Sequence, residues 1–168
     1  MDLDATIRQI QRGDDWAFAC LYDRLAEPAL RYAAAIMGHD GLAADAVQET
    51  FLRVYRSIGR FKPAKPFEPW FYRILINECR RMLRWRGRMT VLETLPEQAA
   101  PGDEHRALYE AIGELELTLR EPLVLRYLAG YQDREVAEIL GVSVTTAKGR
   151  VKRARQSVRG FLEKGDPI

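Results

Sequence analysis

The sequence predicts an all-α protein of two small helical domains joined by a flexible linker. Apolar residues recur at steps of three and four through most of the chain, and no segment alternates apolar and polar residues over a useful strand length. One stretch breaks the helical period and carries Gly87, Pro96, Pro101 and Gly102. With 168 residues, 47% of them apolar and 30% charged, the chain can bury one ordinary core or two small ones.

Residues 1–11 mix acidic and basic side chains in an amphipathic pattern and lack the apolar run of a secretory leader. Helical spacing follows in Phe18, Leu21, Tyr22 and Leu25, and again in Leu30, Ala33, Ala34 and Met37, until the Gly-His-Asp-Gly sequence at 38–41 interrupts it. The next helix is the clearest. Val47, Phe51, Val54 and Ile58 fall on one face that needs a partner, while Asp45, Gln48, Glu49, Arg53 and Arg56 fall on the other. Residues 60–69 hold three prolines among aromatics and lysines, which predicts a loop because proline lacks a donor and crowds the preceding turn. A helix is then expected from about Trp70 to Trp85. The fading periodicity places a linker at 89–104, dividing the chain into a first domain over 1–88 and a second over 105–168. In the second, a short helix is expected at 119–128 and a tight helical pair at 133–161.

That pair has the chemistry of a helix-turn-helix. Asp133 can cap a first helix whose inward residues are Val136, Ala137 and Leu140; Gly141 allows the turn, and Ser143 caps the second helix. Val144, Ala147, Val151, Ala154, Val158 and Phe161 form one apolar stripe on that second helix. Lys148, Arg150, Lys152, Arg153, Arg155 and Arg159 lie off the stripe, with no acidic residue among them. Solvated helix faces usually mix signs, so this imbalance after a capped turn favours DNA. Early polar residues of such a helix reach base edges, and its cations meet phosphates. Ser143, Thr145, Thr146, Lys148 and Gly149 are the candidates near the bases; Arg150, Lys152 and Arg153 are the candidates for phosphates.

A second basic constellation lies in the first domain: Phe61, Lys62, Lys65, Phe67, Trp70, Tyr72, Arg73, Asn77, Arg80, Arg81 and Arg84 in one loop and helix. Aromatics interleaved with cations suit unstacked single strands, offering faces for bases and charge for the backbone. Such aromatics also serve as core, and Phe67, Phe71, Ile74 and Leu75 are expected to be partly so.

Cys20 and Cys79 belong to no CxxC or zinc-ligand cluster and are expected to be free, partly buried thiols; His39 and His105 are equally isolated. No metal or cofactor is expected, and no clustered carboxylates suit metal-assisted hydrolysis. The absence of any apolar run of about 18 residues argues against a membrane span and for a cytoplasmic protein without membrane contact of its own. The net charge of +2 does not by itself argue for nucleic acid.

The strings DAVQETFLRVYRSIGRF, FEPWFYRILINECRR and LREPLVLRYLAGYQDREVAEILGVSVTTAKGRVKRAR, in this order, resemble the extracytoplasmic-function (ECF) group of bacterial sigma factors. The resemblance covers most of the chain. It implies that the first domain is sigma region two and the second sigma region four, in a non-enzymatic factor that directs promoter-specific initiation. Asp45, Gln48, Glu49, Leu52, Arg53 and Arg56 would meet the beta-prime clamp helices of core RNA polymerase, with the beta flap as a further contact. The 61–84 segment would recognise and open the minus-ten element, and the helix-turn-helix would read the minus-thirty-five element as duplex. An anti-sigma factor is an implied partner. The chain departs from the family where a Leu-Pro pair commonly opens region four, having Leu115 and Glu116 there. Pro122 lies farther on, which suggests a kink or a later helix start near Leu119. It also has Gln132 in place of the usual serine before the first motif helix, and Ala147 and Gly149 in place of common valine and serine. The alternative reading is a helix-turn-helix regulator that acts without polymerase.

Overall fold

Helix ends in this chain are set by residues that satisfy orphan backbone groups. In a computed structural model, which describes residues 2–38, 40–89 and 103–165, the Asp14 carboxylate accepts the Ala17 N–H at 3.1 Å and so starts helix α2 (Asp15–Met37). Gly38, at φ 65°, ends it in the left-handed conformation that only glycine adopts without strain. α2 is preceded by α1 (Leu3–Gln11) and followed by α3 (Asp40–Ser57), a single 3-10 turn (Ile58–Arg60) and α4 (Phe67–Met89). The second half holds α5 (Asp103–Gly113), α6 (Leu117–Tyr127), α7 (Asp133–Leu140) and α8 (Val144–Gly165). Most of the expected linker, residues 90–102, lies outside the described residues, as do His39 and the side chain of His105.

Several boundaries differ from expectation, each for a physical reason. The two apolar runs of residues 18–37 form one helix through Pro28; a lost backbone bond is offset by burial of Leu21, Leu25, Ala29, Tyr32 and Ile36 along one face. α4 begins three residues before Trp70, because Pro69 falls in its first turn, where an N–H would find no acceptor. α6 begins at Leu117 and runs continuously past Pro122. Gln132, not Asp133, occupies the cap position of α7. Glu135 reaches back to the Gln132 N–H at 2.7 Å, and Asp133 instead faces Arg126 at 3.6 Å.

The first-half core is aromatic. Phe51 packs against Phe71 at 5.2 Å and Tyr22 at 4.6 Å, and Phe67 and Trp70 continue the cluster to Phe61. The Gln11 amide donates to the Ile58 and Phe61 carbonyls at 2.9 and 2.8 Å, so α1 fixes the start of the 61–66 loop. The second-half core is aliphatic, with Val124, Leu125, Val136, Ile139, Ala147 and Ala154 buried; Ile139 replaces Leu140, which is only half-buried, as a principal inward residue of α7. The halves also pack on each other, α2 against α5 and α6, and α4 against α7.

Cys79 lies fully buried on α4, more deeply than expected, whereas Cys20 is half-buried; both are free thiols. Burial first, and the Glu121 and Glu78 carboxylates second, push the Cys79 thiol up to about 12. Between the ordinary thiol pKa, about 8.5, and that value the folded chain keeps a proton that the unfolded chain has released. Stability from neutral Cys79 is therefore full below the ordinary thiol range and falls as pH rises through this window. Tyr72, also pushed up to about 12 by burial, adds in the same direction. The urea midpoint should decline from pH 9 to pH 11, and Cys79→Ala should flatten part of that decline; an unchanged slope would contradict the assignment.

Candidate docking and nucleic-acid interfaces

α3 turns Val47, Phe51 and Val54 into the core, the following 3-10 turn adds Ile58, and the opposite face of α3 is open. Asp45, Gln48 and Arg56 are exposed there, with Leu52 at 44% and Tyr55 at 54% of their free surface. Glu49 and Arg53 of the same predicted set have a second task. Glu49 lies 3.6 Å from Arg53, Arg53 lies 2.5 Å from Glu78 of α4, and the other Glu78 oxygen lies 2.9 Å from Arg81. Glu78 is 3% exposed, and a carboxylate so buried persists only between opposite charges. This relay ties α3 to α4. Sequence reasoning missed Glu78, although an acidic residue directly before buried Cys79 and three after buried Leu75 was a signal for a paired anion. It also passed over Tyr55 and Trp16, the latter 77% exposed.

In the 61–84 segment Lys62 and Lys65 are exposed on the loop, and Arg73, Asn77, Arg81 and Arg84 are exposed along α4. Among the aromatic members, Phe67 is core as expected, whereas Phe61 and Tyr72 are buried beyond expectation. Phe61, Phe67 and Tyr72 are buried and Trp70 is half-buried, because helical spacing turns Phe67 and Tyr72 with Phe71 into the core, and Phe61 closes over them. In this arrangement Phe61, Phe67 and Tyr72 offer no open faces to bases. Two of the cations are engaged by the second half. The Arg80 guanidinium donates to both Glu121 oxygens, at 2.7 and 2.5 Å, and Arg73 donates to the Glu138 carbonyl at 2.7 Å.

In the helix-turn-helix, Gly141 at φ 67° carries the turn, and the Val142 N–H returns to the Ala137 carbonyl at 3.0 Å. The Ser143 hydroxyl accepts the Thr146 N–H at 3.1 Å and lies 2.8 Å from the Thr146 hydroxyl, so it works as a cap. Ala147, Val151, Ala154 and Val158 are buried, while Val144 and Phe161 at the ends of the expected stripe are exposed. Thr145, Thr146, Lys148, Gly149, Lys152 and Arg153 are exposed and Arg150 is half-buried. A Cβ added at Gly149 would meet nothing within 4 Å, leaving backbone accessible to a close partner. Behind α8 lies a groove of about 640 Å³ between α5, α6 and α8, lined by Leu108, Ile112, Tyr127, Leu128 and Leu162, which the sequence analysis did not single out. Among the described residues no group of side chains could hold a metal ion, and no helix is long and apolar enough to cross a membrane.

Residues 21–89 match the family model Sigma-70 region 2, and residues 105–158 match Sigma-70 region 4. The chain is 31% identical to the RNA polymerase sigma-H factor of Pseudomonas aeruginosa, over 94% of its length and 92% of that protein. It is 27% identical to the ECF RNA polymerase sigma-E factor of Haemophilus influenzae, over 95% and 94% of the two chains. The chain belongs to the ECF group of sigma-70-type factors. The architecture agrees: this sigma factor superposes on CnrH of Cupriavidus metallidurans, solved in complex with the cytosolic domain of CnrY, with a TM-score of 0.80 at 26% identity, over 97% and 98% of the chains. Region two of the sigma factor carries the α3 face and the α4 row, and region four carries the helix-turn-helix and most of the groove. As a sigma factor it directs promoter-specific transcription initiation, and a polymerase-independent regulator is not favoured.

Proposed function

We propose that the exposed α3 face, Asp45, Gln48, Leu52 and Arg56 with Glu49 and Arg53 at its edge, docks on the beta-prime clamp helices of core RNA polymerase. The groove of region four takes an apolar element of the beta flap. Lys62, Lys65, Arg73, Asn77, Arg80, Arg81 and Arg84 hold the unwound minus-ten strand, and Phe61, Phe67, Trp70 and Tyr72 line the base pocket once the loop opens. Thr145, Thr146, Lys148 and Gly149, placed by the Ser143 cap, read the minus-thirty-five bases, while Arg150, Lys152 and Arg153 grip phosphates. On this reading residues 1–88 and 105–168 work as two grips joined by the 89–104 linker.

The observation that carries the reading is one acid-free cationic helix face backed by a buried small-residue stripe, on the same chain as an open docking face on α3. The factor makes and breaks no covalent bond. Captured bases returning about 1–3 kcal/mol each help to offset strand separation. It acts in the cytoplasm, and the complex of the similar factor CnrH with the cytosolic domain of CnrY supports a protein partner, an anti-sigma factor, for this chain as well.

The test is reconstituted transcription with bacterial core polymerase on a randomised promoter library. Core polymerase plus the chain should yield transcripts that start downstream of one pair of spaced elements, which core alone does not produce. Transcripts without shared upstream elements would overturn the reading.

A further inference from the structure

Glu121 is 3% exposed, yet its charge partner comes from the other half of the molecule. Its two oxygens receive the Nε and Nη2 of Arg80, the bidentate geometry in which guanidinium and carboxylate match best. Around this pair further contacts join the halves. Arg120 donates to the Ile36 carbonyl at 2.5 Å, Arg73 donates to the Glu138 carbonyl at 2.7 Å, and the Tyr72 and Tyr131 rings meet edge to face at 5.3 Å. Arg73, Arg80 and Tyr72 all belong to the constellation assigned above to single-stranded DNA. The Glu121 carboxylate and the Glu138 carbonyl therefore occupy the guanidiniums that a phosphate would use.

We infer that Arg80 and Glu121 form a reversible clasp that holds regions two and four closed in the free factor and keeps Arg73 and Arg80 from DNA until the halves separate. The clasp is directional and can open. Glu121 is buried while the Arg80 side chain keeps 34% of its surface, so the desolvation cost falls mainly on the carboxylate, and separation returns it to water. Because closure and DNA draw on the same Arg80, each opposes the other by an equal factor. The conformational part of this inference stands on the contacts alone; the DNA part rests on the reading of α4 given above.

Small-angle scattering of the full chain tests the first part without DNA. A compact chain of 168 residues has a radius of gyration of about 15 Å, and the wild type should lie close to it. Glu121→Lys, which sets two cations together, should expand the particle, and isosteric Glu121→Gln should expand it less. Combining Arg80→Glu with Glu121→Arg should restore compactness. A wild type already expanded, both Glu121 variants as compact as wild type, or a swap as expanded as Glu121→Lys would overturn the clasp. Glu121→Gln keeps the test valid if Glu121→Lys does not fold. The second arm is binding of a fluorescent single-stranded oligonucleotide, for which Glu121→Gln should bind several-fold more tightly than wild type. Expansion without any gain in that affinity would refute the masking of DNA and the assignment of Arg80 to the strand, while the clasp itself would stand.

Discussion

Combining Gln48→Arg with Leu52→Asp should abolish promoter-specific transcription while leaving the helical fold intact. Both side chains are exposed on α3, so neither change disturbs the Val47, Phe51, Val54 and Ile58 face beneath. Leu52 is the apolar centre of the open face. A buried charge there, together with an added cation, removes the kind of central contact whose loss costs about 2 kcal/mol or more, equivalent to roughly 30-fold in affinity. Glu49→Arg is a poorer probe, because it would place a cation against Arg53 and disturb the Glu49–Arg53–Glu78–Arg81 relay. Circular dichroism and affinity for core polymerase, measured on the same preparation, check the result. Full transcription by the double variant would remove the α3 face from the docking assignment.

The second large effect concerns α8. Changing Arg150, Lys152 and Arg153 together to glutamine should weaken holoenzyme binding to duplex promoters across sequences and flatten its salt dependence. Each lost phosphate contact is worth about 0.9 in the slope of log affinity against log salt, so three should remove roughly 2.7. Thr145→Ala with Thr146→Ala should instead change which bases are preferred and leave the slope nearly unchanged. The Thr146 N–H bond to Ser143 is a backbone donation, so the cap survives this change. A triple glutamine variant with the wild-type salt slope would place the phosphates elsewhere.

Features carried by one helix were legible in the sequence. The α8 stripe read correctly through Ala147, Val151, Ala154 and Val158, and the α3 face read correctly through Val47 to Ile58, because a 3.6-residue period reports directly which side of a helix is covered. Proline misled the boundaries at residues 69 and 122, since a first-turn position or tertiary burial outweighed local preference. The candidate site was less legible. Arg80 reads as one more cation in an exposed row, and nothing local reveals a partner 41 residues away in the other half. Phe61 and Tyr72 read as base platforms, and only packing, of Phe61 on Phe67 and of Tyr72 on Phe71, places them in the core.

This short chain works as a polymerase subunit, and association with core enzyme tests that role most directly. Sedimentation of labelled chain with bacterial core RNA polymerase at low salt, in the absence of any inhibitor, should show a stoichiometric complex that unlabelled chain displaces. A chain that sediments alone at every core concentration would contradict the claim.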